Sequence, residues 1–231
     1  MFLGTLAAAA APACVARPVG AQTPDDSVDV ASELRALYRA DLLPRYRTGS
    51  RVGQISSYDT TGGNDDGFDG TYSYLRKEGD ARVLAELEGP GVVERIWTPT
   101  PTERMVAFYF DGESEPRLRL PFIDLFSGRM PPFVRPVVGN EVGGYYCYLP
   151  IPYARSLKIV YEGDDIRFHQ IQYRSERPGT RVASFGTPLP GGAQAELERV
   201  VDAWGRPGDH PWAEGSVFVT ERGFDVPPGG S

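Results

Sequence analysis

Val83-Leu84-Ala85-Glu86-Leu87-Glu88-Gly89-Pro90-Gly91-Val92-Val93-Glu94-Arg95-Ile96-Trp97 reads as two short strands joined by a turn. Val83, Ala85 and Leu87 fall on alternate positions, the two-residue period of a strand with one buried face, and Gly89-Pro90-Gly91 supplies the turn. The same pattern continues on both sides. Met105 to Phe110 is nearly all apolar and stops at Asp111-Gly112, a turn dipeptide, so it reads as a strand buried on both faces. Leu118 and Leu120, Tyr146 and Tyr148, and Leu157, Ile159 and Tyr161 repeat the alternation. Gly 27 and Pro 21 exceed average usage and favour many short strands over long helices. The expected fold is mainly β, a jelly-roll β-sandwich over residues 51–190, with one N-terminal helix and one helix near the C-terminus.

Both helices announce themselves by spacing. From about Asp29 to Leu43, Leu34, Leu37, Tyr38 and Leu42 form a stripe that Pro44 stops, inside an N-terminal helical segment spanning 22–50. Leu197, Val200, Val201 and Trp204 form a second stripe, and Gly205 is its C-terminal stop. The rest of the 191–231 segment ends Phe224-Asp225-Val226-Pro227-Pro228-Gly229-Gly230-Ser231, a composition that suits a linker or a lead-in to a strand. Lys77-Glu78-Gly79-Asp80 leads into the Val83 strand in the same way, so a second jelly roll is expected beyond Ser231.

The first residues, Met-Phe-Leu-Gly-Thr-Leu and a run of alanines, make an apolar stretch too short to span a bilayer, and Val19-Gly20-Ala21 resembles a cleavage site. Residues 1–21 are therefore expected to be a signal peptide and the chain to be exported, periplasmic or extracellular. Lipidation at Cys14 fits less well, because Ala11-Pro12-Ala13 is a poor lead-in to a lipidated cysteine. Cleavage would leave Cys147 without a disulfide partner, and with His169 and His210 as the histidines the usual zinc spacings are missing. A net charge of -7 argues against nucleic acid as a partner, since phosphate neutralisation needs a basic face.

Between Tyr58 and Gly70 the chain changes character. Thr60-Thr61-Gly62-Gly63-Asn64-Asp65-Asp66-Gly67-Phe68-Asp69-Gly70 is a loop rich in glycine and carboxylate, and short polar side chains on a glycine-flanked loop can approach a ligand closely. Asn64, Asp65 and Asp66 are the candidate sugar contacts, with Tyr58 as an adjoining aromatic surface. Two other readings stand beside this one: an Asx-turn network that only shapes the loop, and a calcium site fed by Asn64, Asp66 and Asp69, although the spacing is not that of an EF-hand. Trp97 and Tyr145 or Tyr146 offer further rings, but aromatics at strand spacing belong more often to a core, and Trp97 is expected there. Glu86 and Glu88 share one strand face and could mimic a catalytic carboxylate pair, but exposed strand-face charges are much commoner and they read as solvated. Cys147 reads as a small buried hydrophobe and His169 as structural.

In order along the chain, Ile55-Ser56-Ser57-Tyr58-Asp59 leading to Gly63-Asn64-Asp65-Asp66, then Glu88-Gly89-Pro90-Gly91-Val92-Val93-Glu94-Arg95-Ile96-Trp97, Phe110-Asp111-Gly112-Glu113, Pro121-Phe122-Ile123-Asp124-Leu125-Phe126 and Cys147-Tyr148-Leu149-Pro150-Ile151-Pro152-Tyr153 resemble glycoside hydrolase family 172. The resemblance covers about Arg51 to Tyr173. It implies a protomer of two jelly rolls assembled into trimers or hexamers. It also implies activity on α-D-fructofuranosides, difructose dianhydride or α-D-arabinofuranosides, with no organic cofactor. Family members are similar to retaining glycosidases, in which two carboxyl groups roughly 5 Å apart act as nucleophile and acid/base. By the resemblance those glutamates sit in the second half, so none of the glutamates here inherits either role. The chain is then expected to be inactive alone, binding a furanose-containing oligosaccharide or polysaccharide. The alternative is a non-catalytic carbohydrate-binding or assembly module, a use that jelly rolls serve as readily.

Overall fold

The computed structural model of the chain describes residues 27–42 and 47–206. The expected signal peptide with Cys14, the helix stop at Pro44, His210 and the lead-in after Arg206 lie outside the described residues. The first helix, α1 (Val30–Tyr38), starts at a capping box: the Asp29 carboxylate accepts from the Ser32 amide while the Ser32 hydroxyl accepts from the Asp29 amide. Among the described residues eleven strands follow: β1 (Arg51–Ser56), β2 (Arg76–Glu78), β3 (Ala81–Glu88), β4 (Gly91–Thr98), β5 (Met105–Phe110), β6 (Leu118–Pro121), β7 (Val138–Glu141), β8 (Gly144–Cys147), β9 (Ile151–Tyr153), β10 (Ser156–Tyr161) and β11 (Gln170–Ser175). The second helix, α2 (Gly191–Gly205), closes the described chain. Among the described residues no helix is long and apolar enough to cross a membrane.

The strands form two antiparallel sheets, one ordered β1-β11-β4-β8-β7 with β9 on the first half of β4, the other ordered β2-β3-β10-β5-β6. Early strands pair with late ones, β1 with β11, β3 with β10, β4 with β8 and β5 with β6, and successive pairs alternate between the sheets. That is the rolled-up ribbon of a jelly roll, so the fold is the β-sandwich that the strand spacing implies. Lys77 and Glu78, expected as a lead-in, belong to the short edge strand β2.

Which side chains enter the core depends on two bulges. In the second sheet Ile159 opposes Ala85 but Val160 opposes Val83, so Leu84 is an extra residue. Leu84, Ala85 and Leu87 therefore all enter the core, while Val83 faces away from it opposite Val160. In the first sheet Gln172 opposes Arg95 and Tyr173 opposes Val93, leaving Glu94 as the extra residue. Val93 and Ile96 point inward together, and Val92, Arg95 and Trp97 point out. The strand at Met105–Phe110 is also more one-sided than its composition implies. Val106, Phe108 and Phe110 fill the core, Ala107 is buried on the other face, and Met105 and Tyr109 there are half-buried.

α1 and α2 pack against each other and close the sandwich on the side of the first sheet. Arg35 donates two hydrogen bonds to the Glu196 carboxylate at 3.0 and 2.7 Å, Tyr38 donates to its other oxygen at 2.8 Å, and the Trp204 indole donates to the Leu37 carbonyl at 3.1 Å. Arg174, on the outer face of β11, anchors α1 through Glu33 at 2.8 Å and is also held by Glu94 and Glu176. Leu34, Leu197 and Val200 carry the apolar stripes into the core.

His169 is the exception inside that core. It lines a small cavity with Ile96, Phe108, Phe122 and Ile171, and burial, opposed only in part by the Arg167 backbone, lowers its pKa to about 4. The unfolded chain then binds a proton below the ordinary value of 6.5 that the folded chain refuses, so stability is fully present above 6.5 and is lost as pH falls toward 4. Between pH 7.5 and pH 5 this group alone is expected to remove on the order of 2 kcal/mol. Urea unfolding at the two pH values measures it, and in His169→Leu that part of the acid sensitivity should vanish.

Candidate functional site

β1 leaves its sheet at Ser56, and the chain does not re-enter a strand until Arg76. The intervening loop stays attached to the segment before β11. The Ser57 amide donates to the His169 carbonyl at 3.2 Å, the His169 amide donates to the Ser57 hydroxyl at 3.3 Å, and the Phe68 ring stands edge-on to Phe168 at 5.1 Å. Ser57 thus extends the strand pairing by one step, and the next residue, Tyr58, is 57% exposed.

Asp59 organises the turns between Thr60 and Asp69. Its side chain is buried, one carboxylate oxygen accepts from the Thr61 amide at 2.9 Å and the Thr61 hydroxyl at 2.6 Å, and the other accepts from the Asp65 amide at 3.3 Å. The Thr61 hydroxyl and amide hold this carboxyl below the usual range, outweighing the opposite effect of burial. Asp66 answers from the other side, accepting from the Asp59 amide at 2.7 Å, and Asp65 accepts from the Asp69 amide at 2.9 Å. The Asx network therefore exists and employs one oxygen each of Asp65 and Asp66. Asn64 is exposed, and its amide makes no hydrogen bond to the described residues, while Asp66 is exposed beside it. The Asp65 and Asp66 carboxylates are thus fixed by the loop's own backbone, with Asn64 between Gly63 and Asp65 and the second oxygen of Asp66 left to the solvent. Among the described residues no group of three or more His, Cys, Asp or Glu could hold a metal ion.

Next to this rim lies a row of outer-face residues. Ser56 opposes Gln170, Gln170 opposes Trp97, and Tyr146 opposes Trp97 on one side and Gly139 on the other. Trp97 is therefore half-buried on the outer face and not in the core, because the Glu94 bulge separates it from Val93. Tyr145 takes the inward position, edge-on to Phe126 at 6.2 Å. Arg95, Gln170 and Gln172 share the outer face with Trp97; the two glutamines alternate with inward Ile171, whereas it is the Glu94 bulge that sets Arg95 and Trp97 outward while Val93 points in.

The remaining candidates are structural. Glu86 is held by both guanidinium nitrogens of Arg76, which keep its carboxyl below the usual range against a smaller effect of burial, and it lies exposed on the second sheet's outer face. Glu78, Asp111, Glu162, Asp165, Glu176 and Glu196 are displaced in the same downward direction, whereas a general acid needs the opposite. Burial pushes the Cys147 thiol up to about 12, so it stays protonated and unreactive.

Asp59 escaped the sequence reading, yet Asp59-Thr60-Thr61 carries the signal of an Asx-turn, a carboxylate accepting the amide two residues on. In comparison with known proteins, a family model described as the GH172 first β-sandwich domain matches residues 48–190. No curated protein matches the chain.

Asp59→Ala is expected to release the loop without unfolding the sandwich. Hydrogen exchange at the Thr61 and Asp65 amides should become fast while β4 and β11 stay protected; protection unchanged at both amides would show that the carboxylate does not hold the loop.

Proposed function

The chain belongs to glycoside hydrolase family 172, and on that footing we propose that it is the first sandwich of an exported retaining enzyme acting on α-furanosides, whether fructofuranoside, difructose dianhydride or arabinofuranoside. In this reading the sandwich supplies scaffold and part of the sugar pocket, the nucleophile and the acid/base come from a second sandwich, and the working unit is a trimer or hexamer. One observation carries the sugar contact: the rim loop is held from within by Asp59 while the Asn64 amide has no partner among the described residues. An amide both donates and accepts, as a pair of ring hydroxyls requires, and the free oxygen of exposed Asp66 adds a charged acceptor. Exposed Tyr58 stands at the start of the same loop and offers a ring for the apolar face of the sugar. The downward displacement of Glu86, Glu176 and Glu196 supports placing the general acid elsewhere.

Two measurements test the reading. The purified chain incubated with aryl α-D-arabinofuranoside or α-D-fructofuranoside should release no sugar, and turnover that survives repurification would contradict it. Titration with methyl α-D-arabinofuranoside should shift the amide resonances of residues 58–68, and Asn64→Ala combined with Asp66→Ala should weaken that binding by about tenfold or more. Shifts confined to the opposite sheet would contradict the loop assignment.

A further inference from the structure

The two outer faces of the sandwich differ in kind. On the second sheet Arg76, Glu78, Glu86 and Lys158 neutralise one another, and Lys158 covers Tyr109 at 5.0 Å from its ring centre. The first sheet carries rings and amides instead. A Cβ on Gly139 would sit 2.6 Å from the Tyr146 hydroxyl oxygen, so Tyr146 lies down across the neighbouring strand, and it can do so because that residue is glycine. A Cβ on Gly144 would likewise meet the Trp97 indole nitrogen at 2.7 Å. Tyr148, 36% exposed, stands 5.6 Å from Tyr146, and the Arg95 guanidinium lies 5.9 Å from the Trp97 ring and 6.0 Å from that of Tyr148.

The amides between these rings are only half used. Gln170 accepts from Arg95 through its carbonyl oxygen at 3.0 Å and keeps its own N–H groups, while Gln172 donates to Gln54 at 3.0 Å and keeps its carbonyl. Low-lying rings interleaved with spare donors and acceptors match a saccharide, whose C–H faces stack on aromatic surfaces while its hydroxyls pair with amides. Arg95 gives one nitrogen to Gln170 and lies beside two rings, with its Nε unpartnered among the described residues, and the other groups of the row are uncharged, so the match is to a neutral chain. The row also ends at Ser56, where the rim loop departs.

We propose that this face, centred on Trp97 and Tyr146, is a platform for a neutral oligosaccharide and grips the sugar units beyond the one held at the rim. The assignment rests on the same carbohydrate reading as the loop but on different residues, so the two can fail separately. Calorimetric titration of the full chain with α-1,5-linked arabinopentaose and with methyl α-D-arabinofuranoside tests it. The pentaose should bind more tightly. Trp97→Ala and Tyr146→Ala should each weaken pentaose binding by about tenfold and leave the monosaccharide unchanged. Trp97→Phe, which keeps a ring, should retain most of the affinity. Gly139→Val, which lifts Tyr146 without removing any ring, should reproduce the loss, with melting curves verifying that each variant is folded. The platform is overturned if wild type shows no preference for the pentaose or if both alanine variants bind it as wild type does. It is also overturned if light scattering finds instead a second copy of the chain on this face, released by Trp97→Ala, with no heat from saccharide. Binding of the pentaose through Trp97 with no monosaccharide effect at Asn64 would retain the platform and remove the loop assignment.

Discussion

Register in the β4–β11 pair governs the rest of this sandwich. Directly opposed residues share a face, so once Ile96 and Ile171 are buried together, every position along both strands is assigned inward or outward until the register changes. It changes once, at Glu94, and the extra residue lets Val93 return to the core while Arg95 and Trp97 face out. Leu84 does the same in the second sheet, where the return admits two consecutive apolar residues and turns Val83 away. The bulges therefore decide the composition of the core and also that of the outer face beside the rim loop.

The rim loop obeys a different constraint. It has no ladder of its own, so its backbone amides need partners, and Asp59 supplies them from inside the loop with help from Asp65 and Asp66. A buried carboxylate used this way fixes the turns of a loop from within. Its pairing with the chain at Ser57 and His169 places the loop at the end of the first sheet, next to Gln170 and Trp97. Loop and sheet face therefore adjoin, and the helices, tied to each other by Glu196 and to the same sheet by Arg174, bound the exposed area from the other side.

Elements whose period is unbroken were legible in the sequence. Leu157, Ile159 and Tyr161 alternate into the core as their spacing implies, the stripes at Leu34 and at Leu197 to Trp204 form helices, and the turn residues at Gly89-Pro90-Gly91 and Asp111-Gly112 end strands. Trp97 was not legible, because continuous alternation from Val93 puts it in the core and nothing in Glu94-Arg95 marks an inserted residue. Asp65 and Asp66 were recognisable as loop residues, but their split between backbone and solvent depends on Asp59, earlier in the loop, and on a docking surface at 166–169 that comes from the far end of the chain. Periodicity reports on faces, and it is silent about such a tertiary partner.

Diffraction from crystals of the chain soaked in an α-arabinofuranoside oligosaccharide would test the arrangement most directly. Sugar density against Asn64 and Asp66, continuing over Trp97 and Tyr146, is the expected result. Ordered sugar on the ion-paired face of Arg76 and Glu86, with the rim and the ring-bearing face empty, would contradict it.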